Sequence, residues 1–372
     1  MFFPIDILDI LRNQRNVFNF FPVGHGLFYA GSIDYKKYAF VYDCGTDISS
    51  GDSVDLTNQI KSLKEYFGDK ALDFVVLSHL HYDHFCGLEK LFEQFEVEKL
   101  ILPYLGGRFS RETLLSFVYL RAGYDFRSGR PSLFDLLDIM EKQQRIHYLE
   151  DSFHSEYYPC YDETYWHFNF FVKQYSKTKI DQLNKDIEIF LKKPPSYSNV
   201  SEAIANGRVA EIKKIYESIF GKGNVLNNTS IVLLHKPASQ NNLICLKTLA
   251  PFAEAVCFNT NGETLLTGDC CFNKELASKL DIRYPLAILQ VPHHGSAKNW
   301  KSIERNFPSI QYLNAVITCS IFRLHNLPNK YTLDQIPCDK CVVVNERNSF
   351  TYSIITNPEK LVEILVSFKL DK

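Results

Sequence analysis

The sequence predicts a mixed α/β fold, and three observations point to it. Short apolar runs that end in turn residues alternate with segments of helical period. One such run, Phe74-Val75-Val76-Leu77, leads directly into Ser78-His79-Leu80-His81-Tyr82-Asp83-His84. Two later runs end in the same manner, at Gly268-Asp269 and at Pro292-His293-His294-Gly295. Imidazole and carboxylate groups are the donors that suit zinc, manganese or iron. In an extended turn His79 and His81 point the same way, and the following bend presents Asp83 and His84 on a second side. One loop can therefore offer two ligand pairs to two ions, which suits hydrolysis by metal-activated water.

The elements follow in order. Residues 17–23 and 27–33 alternate apolar with small or polar residues around Gly24-His25-Gly26, which predicts a hairpin. Residues 38–42 form a further strand ending at Asp43-Cys44-Gly45, where the glycine frees the turn to place Asp43 at the sheet edge. Helical spacing covers 55–67, a helix starts near Gly87, and 97–103 reads as a strand. From about 106 to 224 the pattern is more charged and largely helical (114–120, 133–142, 180–192 and 203–220). It is broken by Pro194-Pro195-Ser196 and contains a strand-like stretch at 165–172. This segment reads as an insertion that caps the site, within a single domain spanning 1–372. Strands return at 227–234 and 255–258, and Asn261-Gly262 is read as a hairpin turn into 263–267. A helix at 273–280 and a strand at 286–292 complete the pattern up to the histidine pair.

Ser-His-x-His-x-Asp-His resembles the signature of the metallo-β-lactamase superfamily. Asn-Asn-x-Ser-x-Val, Leu-x-x-Gly-Asp and Val-Pro-His-His-Gly-Ser in that order resemble its branch in bacterial DNA-uptake (competence) proteins and their soluble relatives. The resemblance implies a four-layer αβ/βα sandwich with two mixed sheets back to back and a largely helical insertion. It implies two divalent ions, zinc or manganese. His79 and His81 are expected on one ion, and Asp83, His84 and His293 on the other, with Asp269 bridging. His294 is expected beside the site, on substrate phosphate. Asp83, His294 and His325 are the expected catalytic residues, and Asp43, His25 and Asn228 are expected around the ligands. His25 replaces the glutamine of a Val-Gly-Gln-Gly turn. The Gly-His-Thr-x-Gly turn that supplies a middle histidine in many relatives is missing, so the ion under His79 and His81 is expected to be the looser one.

Composition limits the remaining possibilities. A net charge of -2 and a pI near 6.6 give no global basic field for a long duplex footprint. Ten cysteines without regular spacing read as reduced thiols, and Cys338-x-x-Cys341 lacks the second pair of a zinc knuckle. The first residues lack the basic start of a signal peptide, and no apolar run approaches the ~20 residues of a membrane span. A cytoplasmic protein with no membrane partner is expected. The branch resemblance points to a phosphodiester in nucleic acid or a nucleotide. Lys192, Lys193, Arg208, Lys213, Lys214 and Arg323 are candidates for a phosphate path. A regulatory protein bound through the insertion is a further expectation. Other esters (phosphorylcholine-type, lactone or thioester) or a metal-binding regulatory module are the alternatives.

Overall fold

The computed structural model describes residues 16–47, 56–79, 81–103, 133–149, 153–157, 166–173, 177–193, 202–203, 206–220, 230–238, 243–249, 252–280, 282, 285–321 and 326–355. The chain opens with β1 (Val17–Phe20), β2 (Phe28–Ile33) and β3 (Tyr38–Cys44). Then come α1 (Leu56–Phe67), β4 (Phe74–Val76), α2 (Tyr82–Phe85), α3 (Leu88–Gln94) and β5 (Leu100–Pro103). The middle holds α4 (Leu133–Lys142), β6 (Ile146–Leu149), β7 (Phe153–Tyr157), β8 (Trp166–Phe171), α5 (Lys177–Leu191) and α6 (Val209–Phe220). The second half adds β9 (Val232–Pro237), β10 (Leu243–Leu249), β11 (Phe252–Thr260), β12 (Thr264–Leu266), α7 (Lys274–Lys279) and β13 (Leu286–Gln290). After a single 3-10 turn (His293–Gly295) it ends with α8 (Ala297–Asn306), β14 (Tyr312–Thr318), α9 (Lys330–Gln335), β15 (Cys341–Val344) and β16 (Phe350–Ile355).

These strands form two mixed sheets. The nine-stranded sheet runs β11-β10-β16-β1-β2-β3-β4-β5-β6, and the seven-stranded sheet runs β15-β14-β13-β12-β9-β8-β7. Period-two alternation sorts side chains to opposite faces. Phe40, Tyr42, Phe74 and Val76 point into the space between the sheets, where they meet Trp166, Phe168, Leu233, Leu266 and Ile288. Their neighbours Val41, Cys44, Val75 and Leu77 point outward, onto Leu56 and Ile60 of α1 and Leu88 and Leu91 of α3. The other outer face packs Leu234, Leu265 and Leu289 under Leu276, Trp300 and Ile303 of α7 and α8. Helix, sheet, sheet, helix is the four-layer sandwich expected.

Two expectations change. The Asn261-Gly262 turn does not close a hairpin. β11 lies in the nine-stranded sheet, whereas β12 pairs with β9 and β13 in the other, so the turn carries the chain across the sandwich. Gly262 sits at a φ of 71° against Ile354 and Pro237, a space that a side chain would fill. The described strands of the 106–224 segment are also woven into the core rather than laid over it. β6 extends the first sheet alongside β5, and β7 and β8 extend the second through β9. Leu137, Met140, Leu183, Ile187 and Ile212 of its helices join the same outer layer as α1 and α3. Lys193 pairs with Glu202 and Arg208 with Glu211, so these two cations already have acidic neighbours.

One histidine belongs to the core. His235 on β9 is buried between the sheets, where Trp166 Nε1 donates to its Nδ1 at 3.2 Å. Its Nε2 therefore carries the proton and donates to Tyr29 Oη at 2.7 Å. Tyr29 in turn meets Tyr352 at 2.7 Å, and Tyr352 meets Thr264 at 2.7 Å. Burial lowers the His235 pKa to about 3. The unfolded chain therefore takes up a proton below about pH 6.5 that the folded chain refuses, and stability falls as pH drops through that window toward 3. Between pH 5.5 and 4, urea denaturation should show about 1.4 kcal/mol lost per pH unit from this residue, and His235→Gln should flatten that part of the slope.

Candidate metal centre

The site forms where the ends of β3, β4, β12 and β13 converge. Asp43, near the end of β3, is fully buried with a φ of 57°. Left-handed backbone of this kind costs a residue with a Cβ about 1 kcal/mol or more, and the gain here is three hydrogen bonds. Ser78 donates its backbone N–H to Asp43 Oδ1 at 2.6 Å and its hydroxyl to Oδ2 at 2.6 Å. His84 Nδ1 donates to Oδ2 at 2.8 Å. The Asp43 carboxylate thus grips the metal-type loop at both ends. Gly45 makes the approach feasible, because a Cβ there would lie 2.5 Å from the Asp83 carbonyl and the His84 nitrogen.

Each histidine anchored in this way shows the same polarity. The Ser78 hydroxyl proton goes to Asp43, so Ser78 Oγ accepts from His79 Nδ1 at 3.0 Å. Thr318 O accepts from His294 Nδ1 at 2.8 Å. Asn299 Oδ1 accepts from His293 Nδ1 at 3.2 Å, and its Nδ2 is spent on the carbonyls of Asp269 and Cys270. With Nδ1 occupied in His79, His84, His293 and His294, each Nε2 is left for the centre. That tautomer is the one a metal-ligating imidazole needs.

The Nε2 atoms surround Asp269. His84 Nε2 lies 3.3 Å and His294 Nε2 3.8 Å from Asp269 Oδ1. His79 and His293 each lie 3.6 Å from Asp269 Oδ2. Asp83 Oδ2 is 3.1 Å from His294 Nε2 and 3.7 Å from His84 Nε2. The His81 ring rests against that of His79, with centroids 4.6 Å apart. Gly268, at a φ of 52°, lets Asp269 enter this cluster, since a Cβ there would meet Ser78 at 2.8 Å. Two triads offer ligand atoms within 4.8 Å of one another, namely His79, His84 and Asp269, and His25, Asp83 and His294.

The electrostatics follow from burying so many charges together. Burial opposes ionisation of Asp83 and of Asp269, yet the surrounding imidazoles outweigh it and hold both carboxyls below the usual range. Burial likewise opposes a charge on His84, but Asp269, Asp83 and Asp43 outweigh it and raise its pKa. His79 shifts the other way, lowered by burial and then by His84. His25 falls to about 3 through burial and then His294. At Asp43 burial dominates and raises the pKa. Three carboxylates draw positive charge into a dry space, a demand that a divalent cation meets. His79 Nε2 is buried there without a hydrogen bond. The donor set therefore fits divalent ions.

The structure brings together His79, His81, Asp83, His84, Asp269, His293 and His294, with Asp43 and His25 around them. His294, expected on substrate, lies 3.1 Å from Asp83 and 3.8 Å from Asp269, and His293 lies 3.6 Å from Asp269. Asn228, His325 and Arg323 lie outside the described residues, as does the stretch at 114–120. Sequence reasoning did not assign Ser78, Asn299 or Thr318. The Ser78 role was hinted at by its place directly before His79, whereas Asn299 and Thr318 carry no local signal.

The mixed α/β sandwich thus carries a histidine- and carboxylate-lined centre at its strand ends, a donor set that suits divalent metal ions. Residues 29–164 match the family model described as the Metallo-beta-lactamase superfamily, and the two sheets with their helices are consistent with that sandwich. No curated protein matches this chain. No described helix is long and apolar enough to cross a membrane.

Asp43→Ala should remove the acceptor of three buried donors. Each donor left unsatisfied costs about 1–3 kcal/mol. Urea denaturation should therefore show a clear loss of stability, and a chelator competition should show metal affinity about 10–100-fold weaker.

Proposed function

We propose that this protein is a metal-dependent phosphodiesterase acting on nucleic acid or nucleotides. The observation that carries the reading is the position of Asp269, whose two carboxylate oxygens face different imidazoles at 3.3–3.8 Å. A carboxylate placed this way can hold two ions side by side. Two ions held there would suit phosphodiester cleavage, in which both the attacking and the leaving oxygen need stabilising. The order of the Asn-Asn-x-Ser, Gly-Asp and His-His-Gly-Ser motifs supports the choice of phosphodiester through its resemblance to the DNA-uptake branch.

When bound, the ions would lower the pKa of water toward neutrality and stabilise charge on the phosphoryl oxygens. His79, His81, Asp83, His84, Asp269 and the histidine pair would hold them. The chain itself contributes preorganisation. Asp43 keeps His84 and Ser78 in register, Ser78 orients His79, and Asn299 ties the Asp269 loop to the histidine turn. Full burial of His79, His84 and Asp269 excludes bulk water and strengthens each interaction.

The test uses purified protein loaded with zinc or manganese, single- and double-stranded DNA, RNA and bis-p-nitrophenyl phosphate. Cleavage should depend on metal, stop with chelator, and fall to background in His81→Ala/Asp83→Ala. Hydrolysis of a lactone or thioester with every phosphodiester left intact would overturn the substrate class and keep the hydrolase.

A further inference from the structure

His293 and His294 are adjacent in sequence, yet they serve different parts of the site. His294 Nε2 lies 3.1 Å from Asp83 Oδ2 and 3.8 Å from Asp269 Oδ1, on the side of His84. His293 Nε2 lies 3.6 Å from Asp269 Oδ2, the oxygen that His79 Nε2 also approaches at 3.6 Å. Asp269 thereby sorts the imidazoles into two sets.

The backbone explains how two neighbours reach one centre. In an extended strand, consecutive side chains point to opposite faces, and one of the pair would leave the site. Here φ is 51° at His293, 52° at His294 and 83° at Gly295, three successive left-handed residues that follow β13 after Val291 and Pro292. This tight turn swings both rings toward Asp269, and a separate anchor fixes each. His293 Nδ1 is tied to Asn299 on the first turn of α8, and His294 Nδ1 to the Thr318 carbonyl at the end of β14. Left-handed backbone at two residues with side chains is the kind of local strain that functional sites retain.

His79 and His81 come from the same loop, and the middle-histidine turn is absent from the sequence. His235 is locked in the inter-sheet core by Trp166 and Tyr29. We infer that His293 is a ligand in its own right, completing the position of His79, His81 and Asp269 Oδ2, while His294 completes that of Asp83, His84 and Asp269 Oδ1. The tandem pair thus divides between two divalent ions, and one turn replaces two separate ligand segments. This rests on the metal-dependent reading above.

Metal uptake and imidazole spectroscopy on the full chain test the division. The wild type should take up two equivalents of zinc or cobalt(II), measured by elemental analysis after gel filtration. His293→Ala and His294→Ala should each retain one, with different cobalt(II) absorption spectra. In the wild type, 15N imidazole spectra during zinc titration should move His293 Nε2 together with that of His79, and His294 Nε2 together with that of His84. That measurement stands even where a variant fails to fold. A wild type with two equivalents and an unmoved His293 Nε2, or His293→Ala still holding both, overturns the division and leaves the metal-dependent reading intact. A wild type that takes one equivalent also overturns it. No uptake by the wild type removes both.

Discussion

The buried carboxylate of Asp43 is the constraint on which the site depends. It accepts from the Ser78 amide, the Ser78 hydroxyl and His84 Nδ1, joining the end of β3 to the loop beyond β4. Those strands are parallel neighbours, so their C-terminal ends lie side by side and a short carboxylate can span them. Because the Ser78 proton is directed at Asp43, Ser78 can only accept from His79. One acid therefore sets the tautomer of two imidazoles, one directly and one through a hydroxyl. Removing it frees both rings at once.

The same logic recurs across the sandwich. His293 and His294 are anchored by Asn299 and Thr318, which belong to α8 and β14 of the second sheet. Each half of the molecule thus orients its own histidines through Nδ1, and Asp269 meets all four Nε2 atoms in the middle. Burial opposes the charge on Asp83, His84 and Asp269, and attraction to one another, to Asp43 and to the neighbouring histidines offsets it. A centre built this way is stable as a unit and expensive in pieces, because losing one partner strands the others in a dry environment.

The middle of the chain shows how a segment can look like an addition and still belong to the core. Its helical periods at 133–142, 177–191 and 209–220 are conspicuous, while its strands are short and carry polar residues. Yet β6 continues the parallel run β3-β4-β5, and β8 buries Trp166, Phe168 and Phe170 between the sheets. Cutting out this segment would expose the strand edges of both sheets and remove the hydrogen-bond donor to His235.

How much was legible depended on whether a signal is local. The strand-loop motif at 74–84, the Gly268-Asp269 turn and the histidine pair each declare themselves within a few residues, so the donors and the α/β class were readable from the chain alone. A mixed sheet buries whole apolar runs, and polar groups directly past such runs have few other places to go. The relations between distant residues were not readable. Spacing cannot show that Asn299 and Thr318 anchor adjacent rings, that Asn261-Gly262 crosses between sheets, or that His235 turns inward. Nor can it tell which of two neighbouring histidines meets which oxygen of Asp269, since three successive left-handed residues reverse the alternation a strand would impose. The sequence by itself determined which ligand atoms exist; tertiary structure decided where each points, because orientation comes from hydrogen bonds between segments that only folding brings together.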